Sequence, residues 1–357
     1  MRIDEFRKNL NDNGVDIAVL YNTGSFEPNP NFFYFTGYSG YGCLAVPKKS
    51  KPFILAPKME AERASKSSKI KVAVADKETF LESLASKIKK TGARARTVGI
   101  DKNSISLNQF IRIKKIFKNK KFHDISSMCQ SLRKIKTSEE IEYIKKSCSY
   151  ADKIIQECIK NFRYFRTESE AAAFLEFESK SMGLDLSFKP IVASGSNASI
   201  PHYEPKRTPI KKGFCVIDFG VKYNGYCSDI TRTIYFGEPS GKEIEIYQLL
   251  LDVQQHLVEE AGSGKNCGEL YDSANAALGK YKKYFTHGLG HGIGVEIHEL
   301  PNLTSNSKDV LENGIPFTIE PGIYISGKLG IRIEDSVLFN NGKAEPLTKT
   351  TKDLLII

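Results

Sequence analysis

The sequence predicts an α+β fold in two domains: a smaller α/β domain over residues 1–125, a linker at 126–136, and a larger mixed domain over 137–357. Three observations carry this prediction. A length of 357 residues exceeds the usual single domain. Short apolar runs alternate with helix-period runs over the first 125 residues, the pattern of helices packed on a sheet. Beyond Thr137 come two capped helical stretches, a hairpin, two more helices and finally strand patterns alone.

In chain order, DIAVLY, NFFYFTGY, GCLAVP, KPFILA, IKVAVAD and TVGID read as strands, and Phe80–Lys90 and Ile105–Phe117 as helices. Thr137 followed by Glu140 forms a capping box that opens a long helix, whose buried stripe is Ile141, Ile144, Cys148, Ala151, Ile155 and Cys158. Thr167 and Glu170 repeat the signal for a second helix, which Met182-Gly183 closes. Asn224-Gly225 between apolar alternations predicts a two-residue hairpin, since both turn positions need φ > 0. Lys242–Glu260 and Glu269–Tyr281 have helical spacing, and from Pro316 onward strands return, punctuated by Gly327, Gly330 and Asn341-Gly342.

A hydrophobic content of 40% with 26% charged residues excludes collagenous and disordered chains, and no apolar run reaches membrane-spanning length. No secretory signal is visible at the N-terminus, so a cytoplasmic protein is expected. Seven scattered cysteines without a C-x-x-C pair read as reduced, buried thiols. Net charge is +10 but uneven: residues 1–136 hold 27 Lys and Arg against 12 Asp and Glu. Without a nucleic-acid motif or stacking aromatics, a solvated basic face is the preferred reading over nucleic-acid binding.

The hairpin also carries the first chemistry. Counting out from the turn sets Tyr223 opposite Tyr226, Asp218 opposite Thr231 and Asp229 opposite Gly220. Asp218 and Asp229 therefore share one face as diagonal neighbours, roughly 7–8 Å apart. Like charges on an apolar hairpin call for a cation or a shared proton between them. Among the six histidines, His202, His287, His291 and His298 stand out within residues 200–300, three of them in the glycine-rich HGLGHGIGVEIHE, where a strand or loop is preferred to a helix. Glu320 in PFTIEPGIYI and Glu334 in GIRIEDSVLF are acids embedded in apolar strands, and each needs a partner. Arg332, on the strand face of Glu334, is one candidate for a salt bridge with it.

Taken together these motifs resemble the pita-bread metallopeptidases, the family of Xaa-Pro dipeptidase (prolidase), aminopeptidase P and methionine aminopeptidase. The likeness runs from Thr137 to the C-terminus and more weakly through the N-terminal domain. It implies a pita-bread (creatinase/aminopeptidase-like) catalytic domain in which Asp218, Asp229, His291, Glu320 and Glu334 hold two divalent ions. Four carboxylates and one imidazole suit Mn, Co, Fe or oxygen-bound Zn. Asp229 and Glu334 are expected to bridge, with a hydroxide held between the ions as nucleophile. By the same comparison Glu320 moves the proton, His202 and His298 stabilise the oxyanion, and His287 and Arg332 contact substrate. Phe219 and Tyr203 are candidates for the proline-ring pocket, with core packing as the alternative.

The resemblance further implies proline-containing peptides as substrates and a homodimer without membrane association. One position departs from the pattern. Dipeptidases of the family tend to carry an arginine where this sequence has Asn302, which removes one bidentate grip on a free carboxylate. The wording of the histidine motifs favours the prolidase branch; the loss at Asn302 favours aminopeptidase P acting on longer Xaa-Pro peptides. A catalytically silent binding module with a basic N-terminal domain is the competing non-enzymatic reading, although no ligand position is missing.

Overall fold

A computed structural model describes residues 2–24, 28–77, 79–92, 95–262 and 264–357. It divides into two compact units, Met1–Leu132 and Arg133–Ile357. Among the described residues no helix is long and apolar enough to cross a membrane.

The first unit is built on one six-stranded sheet. Its strands are β1 (Ile17–Asn22), β2 (Gly42–Pro47), β3 (Phe53–Ala56), β4 (Val72–Val74), β5 (Thr97–Ile100) and β6 (Lys121–Asp124), in the order β4-β3-β2-β1-β5-β6. Pairing of β1 with β2 and of β2 with β3 is antiparallel, and the remaining pairs are parallel. Strand alternation sorts the side chains into two cores. Ala18, Leu20, Leu44, Val46 and Ile54 face helix α1 (Arg2–Asp12) through its Ile3, Phe6 and Leu10. Ile17, Val19, Cys43, Ala45 and Leu55 face the other way, where α4 (Phe80–Lys90) supplies Leu84 and Ile88 and α5 (Leu107–Ile116) supplies Ile113. Two short helices, α2 (Pro30–Thr36) and α3 (Ala61–Ser67), complete this unit, and α6 (Ser126–Lys134) crosses the boundary through the segment expected as a linker.

Residues 31–38 correct the sequence reading: NFFYFTGY is mostly helix, not strand. Local signals outweigh the β propensity of its aromatics. The Asn29 side chain accepts from the Phe32 amide as N-cap, Pro30 occupies the first turn, and Gly37 ends the helix at φ 68°.

In the second unit, α7 (Ser138–Asn161) begins at the Thr137/Glu140 capping box and α8 (Glu168–Ser181) at the Thr167 cap, as their spacing predicts. Short strands β7 (Asp185–Leu186) and β8 (Ile191–Ser194) follow, then β9 (Gly213–Phe219), β10 (Val221–Tyr223), β11 (Tyr226–Cys227) and β12 (Ile230–Phe236). Asn224 (φ 48°) and Gly225 (φ 82°) turn the chain, and the register is the one counted from the sequence: Tyr223 faces Tyr226 and Asp218 faces Thr231. Next come α9 (Gly241–Glu260), α10 (Cys267–Leu278), β13 (Gly290–Gly292), β14 (Glu299–Leu303), β15 (Ile315–Ile319), β16 (Gly322–Ile325), β17 (Leu329–Arg332), β18 (Asp335–Asn340) and β19 (Lys343–Pro346). They form a three-stranded sheet β12-β9-β8, a five-stranded sheet β14-β13-β15-β18-β19 and the ribbon β16-β17.

Period two then decides which side chains meet helices and which meet the site. On β9, Cys215, Ile217 and Phe219 join the core under α7 and α8, which sends Asp218 to the opposite face. On β15, Ile315, Phe317 and Ile319 pack in the core with α9 and α10, so Thr318 projects the other way. Ile331 and Ile333 in that core do the same for Arg332 and Glu334. The helix-side faces are apolar and the opposite faces carry the charges. All seven cysteines are free and buried.

Candidate metal centre

The charged faces converge on one cluster. Single oxygen or nitrogen atoms of Asp229, His291 and Glu334 lie within 4.8 Å of one another. His291 Nε2 stands 3.6 Å from Asp229 Oδ2 and 3.4 Å from Glu320 Oε1. The Asp218 charge acts on Asp229, Glu320 and Glu334, and one of its oxygens is engaged by Arg332 at 2.6 Å. All five expected ligands therefore face a common region, with Asp218 on its Arg332 side.

His291 reaches the cluster because β13 can approach its neighbours closely. A Cβ on Gly290 would lie 2.0 Å from the Thr318 carbonyl oxygen, and one on Gly292 would lie 2.1 Å from that of Leu300. Only glycine fits at either place. The ring's Nδ1 sits 3.2 Å from the Gly292 carbonyl, which can only accept, so the proton is on Nδ1 and the Nε2 lone pair faces the carboxylates. Burial and the neighbouring His298 depress the His291 pKa to about 3, keeping the ring neutral.

Such an arrangement is electrostatically incomplete by itself. Burial first, then Glu334, Asp218 and Glu320, raises the Asp229 carboxyl well above its ordinary range. Burial first, then Glu320 and Asp218, does the same to Glu334, while Glu320 is pushed to about 8, chiefly by burial. Among the described residues, the buried Asp218 Oδ1 and Glu334 Oε1 have no hydrogen-bond partner. Orphaned carboxylate oxygens around a neutral imidazole lone pair fit hard divalent cations.

The surrounding side chains aim these groups. Thr231 Oγ1 donates to Glu334 Oε2 at 2.6 Å and accepts from Arg332 Nε at 3.1 Å. Thr318 Oγ1 donates to Glu320 Oε1 at 3.3 Å and accepts from the His291 amide at 3.1 Å. Tyr324 accepts from Arg332 Nη1 at 2.6 Å, which leaves its hydroxyl proton for His287 Nε2 at 3.0 Å. His287 Nδ1 donates to the Gly288 carbonyl and lies 4.0 Å from Glu320. Its pKa falls to about 4 through burial and the Arg332 charge.

Arg332 corrects one sequence expectation: its ion pair is with Asp218, not with Glu334 two residues along. Thr231 stands between the two strand neighbours and bonds to both. His298 packs edge-on against His291 at 4.3 Å between ring centroids, and its pKa is lowered by desolvation and by His202. His202 and His298 are both exposed, and neither side chain has a hydrogen-bond partner among the described residues. Asn302 is exposed on β14, opposite His291 in the strand register. Phe219 is fully buried in the α7/α8 core, and the Tyr203 hydroxyl is bonded to Glu168, so packing claims both ring-pocket candidates.

Thr231, Thr318, Tyr324 and Glu168 escape a reading based on residue type alone. Strand parity places Thr231 beside Asp229 and Thr318 beside Glu320, but Glu334 and Arg332 reach Thr231, and His291 reaches Thr318, from distant segments.

Comparison with known proteins adds to this geometry. Residues 142–341 match Metallopeptidase family M24, and residues 2–135 match the Creatinase/Prolidase N-terminal domain. The chain belongs to metallopeptidase family M24. Membership brings the divalent metal ions on which the family's chemistry depends, in keeping with the Asp229, His291 and Glu334 cluster. The chain is 37% identical over 360 residues to the Xaa-Pro dipeptidase of Pyrococcus furiosus, covering 99% of each. Among solved structures it resembles the prolidase from Pyrococcus horikoshii, with a TM-score of 0.90 and 32% identity over 99% of both chains. It also resembles the X-Pro aminopeptidase from Thermotoga maritima, with a TM-score of 0.88 and 29% identity over 96% of this chain and 98% of that one.

Proposed function

We propose that the chain hydrolyses Xaa-Pro dipeptides, with Asp218, Asp229, His291, Glu320 and Glu334 holding two ions drawn from Mn, Co, Fe or Zn. The observation that carries this reading is the Asp229, His291 and Glu334 cluster, with its raised carboxyls and neutral imidazole, together with the orphaned oxygens of Asp218 and Glu334. The substrate class is supported by full-length likeness to an Xaa-Pro dipeptidase. When bound, the ions supply Lewis acidity toward the attacking water and the scissile carbonyl.

The protein's own groups do the rest. Glu320, whose carboxyl binds a proton readily, takes the proton of the attacking water and returns it to the leaving proline nitrogen. His202 and His298 donate hydrogen bonds to the carbonyl oxygen as it gains charge. His287, fixed by Gly288 and Tyr324, lines the pocket. Arg332 is already bonded to Asp218, Tyr324 and Thr231, so it presents positive charge to a substrate carboxylate from a fixed position. We place this chemistry in a homodimer, which light scattering on the purified protein tests.

Asn302 favours a second reading, release of the first residue from longer Xaa-Pro peptides, because a neutral amide cannot grip a dipeptide's terminal carboxylate as a guanidinium does. A panel of Xaa-Pro, Xaa-Pro-Xaa and Met-Xaa peptides with added Mn²⁺ or Co²⁺ decides. Preferential cleavage of Xaa-Pro supports the dipeptidase. Preference for the tripeptide supports the aminopeptidase, and cleavage of Met-Xaa alone overturns both.

A further inference from the structure

Glu168 is fully buried, carries a carboxylate and lies outside the proposed metal centre. It is the first helical residue of α8, and its oxygens accept from four groups of one loop. Oε1 receives the Ser194 amide at 2.8 Å, the Ser194 hydroxyl at 2.8 Å and Asn197 Nδ2 at 2.9 Å. Oε2 receives the Tyr203 hydroxyl at 2.7 Å and Asn197 Nδ2 at 3.2 Å. Tyr203 directly follows His202. Every partner is a donor, so only an ionised, acceptor-only side chain satisfies the set, and the N-terminus of α8 favours that charge.

His202 depends on this support. Among the described residues its exposed side chain has no hydrogen-bond partner, so its position is set by the backbone of residues 194–203. That backbone is held on its other side too. Arg332 Nη1 donates to the Pro201 carbonyl at 3.4 Å, and the Gly327 amide donates to Ser199 Oγ at 3.1 Å. Strand β17 presses so closely on the loop that a Cβ on Gly330 would lie 1.7 Å from the Ala198 carbonyl oxygen. Beyond His202, the Glu168 amide bonds the Thr208 carbonyl and the Ser169 amide bonds that of Lys206, returning the chain to α8.

We propose that Glu168 is the positioning residue for His202, its buried carboxylate gathering residues 194–203 into the shape that presents the imidazole to the scissile carbonyl. This rests on the reading of His202 as an oxyanion donor. A carboxamide in place of the carboxylate turns an N–H₂ toward the Ser194 or Asn197 donors, which must then move apart. A displacement of about 1 Å in a catalytic group costs on the order of 100-fold in rate.

The test compares E168Q, H202A and the double variant as Mn²⁺-loaded enzymes on an Xaa-Pro substrate, with Mn²⁺ affinity measured separately by calorimetry. E168Q is expected to lower kcat by about 10–100-fold with Mn²⁺ affinity unchanged, and to cost nothing further in the H202A background. Full multiplication of the two losses overturns the inference alone. So does unchanged kcat in E168Q, or loss of Mn²⁺ binding in step with activity. If H202A retains full kcat, the reading of His202 falls and this inference with it. Should E168Q fail to fold, Y203F removes a single donor, and its smaller kcat loss must likewise vanish beside H202A.

Discussion

Removal of metal should make the stability of the protein fall as pH rises through neutrality. In the metal-free fold, Glu320 titrates near 8 against an ordinary value of 4.5, and Asp229 and Glu334 are raised as well. A carboxyl raised on folding contributes stability that is complete below its unfolded pKa and is lost as pH climbs through its folded one. His287 and His291 act in the opposite sense, their pKa values falling from 6.5 to about 4 and about 3, so they weaken the fold as pH drops below 6.5. Between pH 6.5 and 8 the carboxyls therefore act almost alone. For Glu320, linkage over that interval gives a loss of about 2 kcal/mol, a fall of roughly 4 °C in apparent Tm, steepened by Asp229 and Glu334. Divalent ions replace the bound protons, so the Mn²⁺-loaded protein should be flat over the same range. Calorimetric titration of Mn²⁺ at pH 7 in two buffers of different ionisation enthalpy should register release of about one proton or more. A chelated protein whose Tm holds constant or rises from pH 6.5 to 8, or metal binding without proton release, refutes the reasoning.

Three substitutions probe neighbouring links. T231V removes the hydroxyl between Glu334 and Arg332 with little change of shape; it should weaken Mn²⁺ binding by about 10–100-fold, read by calorimetry, and cost about 3 kcal/mol in urea unfolding. D335N breaks a buried cluster in which Asp335 accepts from Arg232 at 2.7 Å, Lys352 at 2.8 Å, Thr348 at 2.9 Å and Gln254 at 3.2 Å; a loss of about 3–5 kcal/mol should appear as a lower urea midpoint at unchanged slope. N302R should lower KM for an Xaa-Pro dipeptide relative to Xaa-Pro-Xaa, by about tenfold if the guanidinium reaches the free carboxylate, and steady-state kinetics on both peptides tests this.

Much of this protein is legible from local rules. Two φ > 0 positions at Asn224-Gly225 set the hairpin register, and the register places Asp218 and Asp229 on one face with no tertiary information. Capping signals located the starts of α7 and α8 within a residue or so, because each is a contact closed within four residues. NFFYFTGY failed for a related reason: its aromatics vote for strand, while Asn29, Pro30 and Gly37 decide the ends and so the element.

By itself, the sequence determined the capped helices, the hairpin with its charged face and the chemical types that had to converge, since period and turn geometry act over a few residues. Only the tertiary structure decided who meets whom. Arg332 lies two residues from Glu334, yet it pairs with Asp218 from β9, with Thr231 inserted between the neighbours. Glu168, which reads as an ordinary first-turn acid, closes a loop 26 to 35 residues away. Such pairings depend on how separate sheets and helices pack, and that packing is settled by the apolar faces turned away from the site.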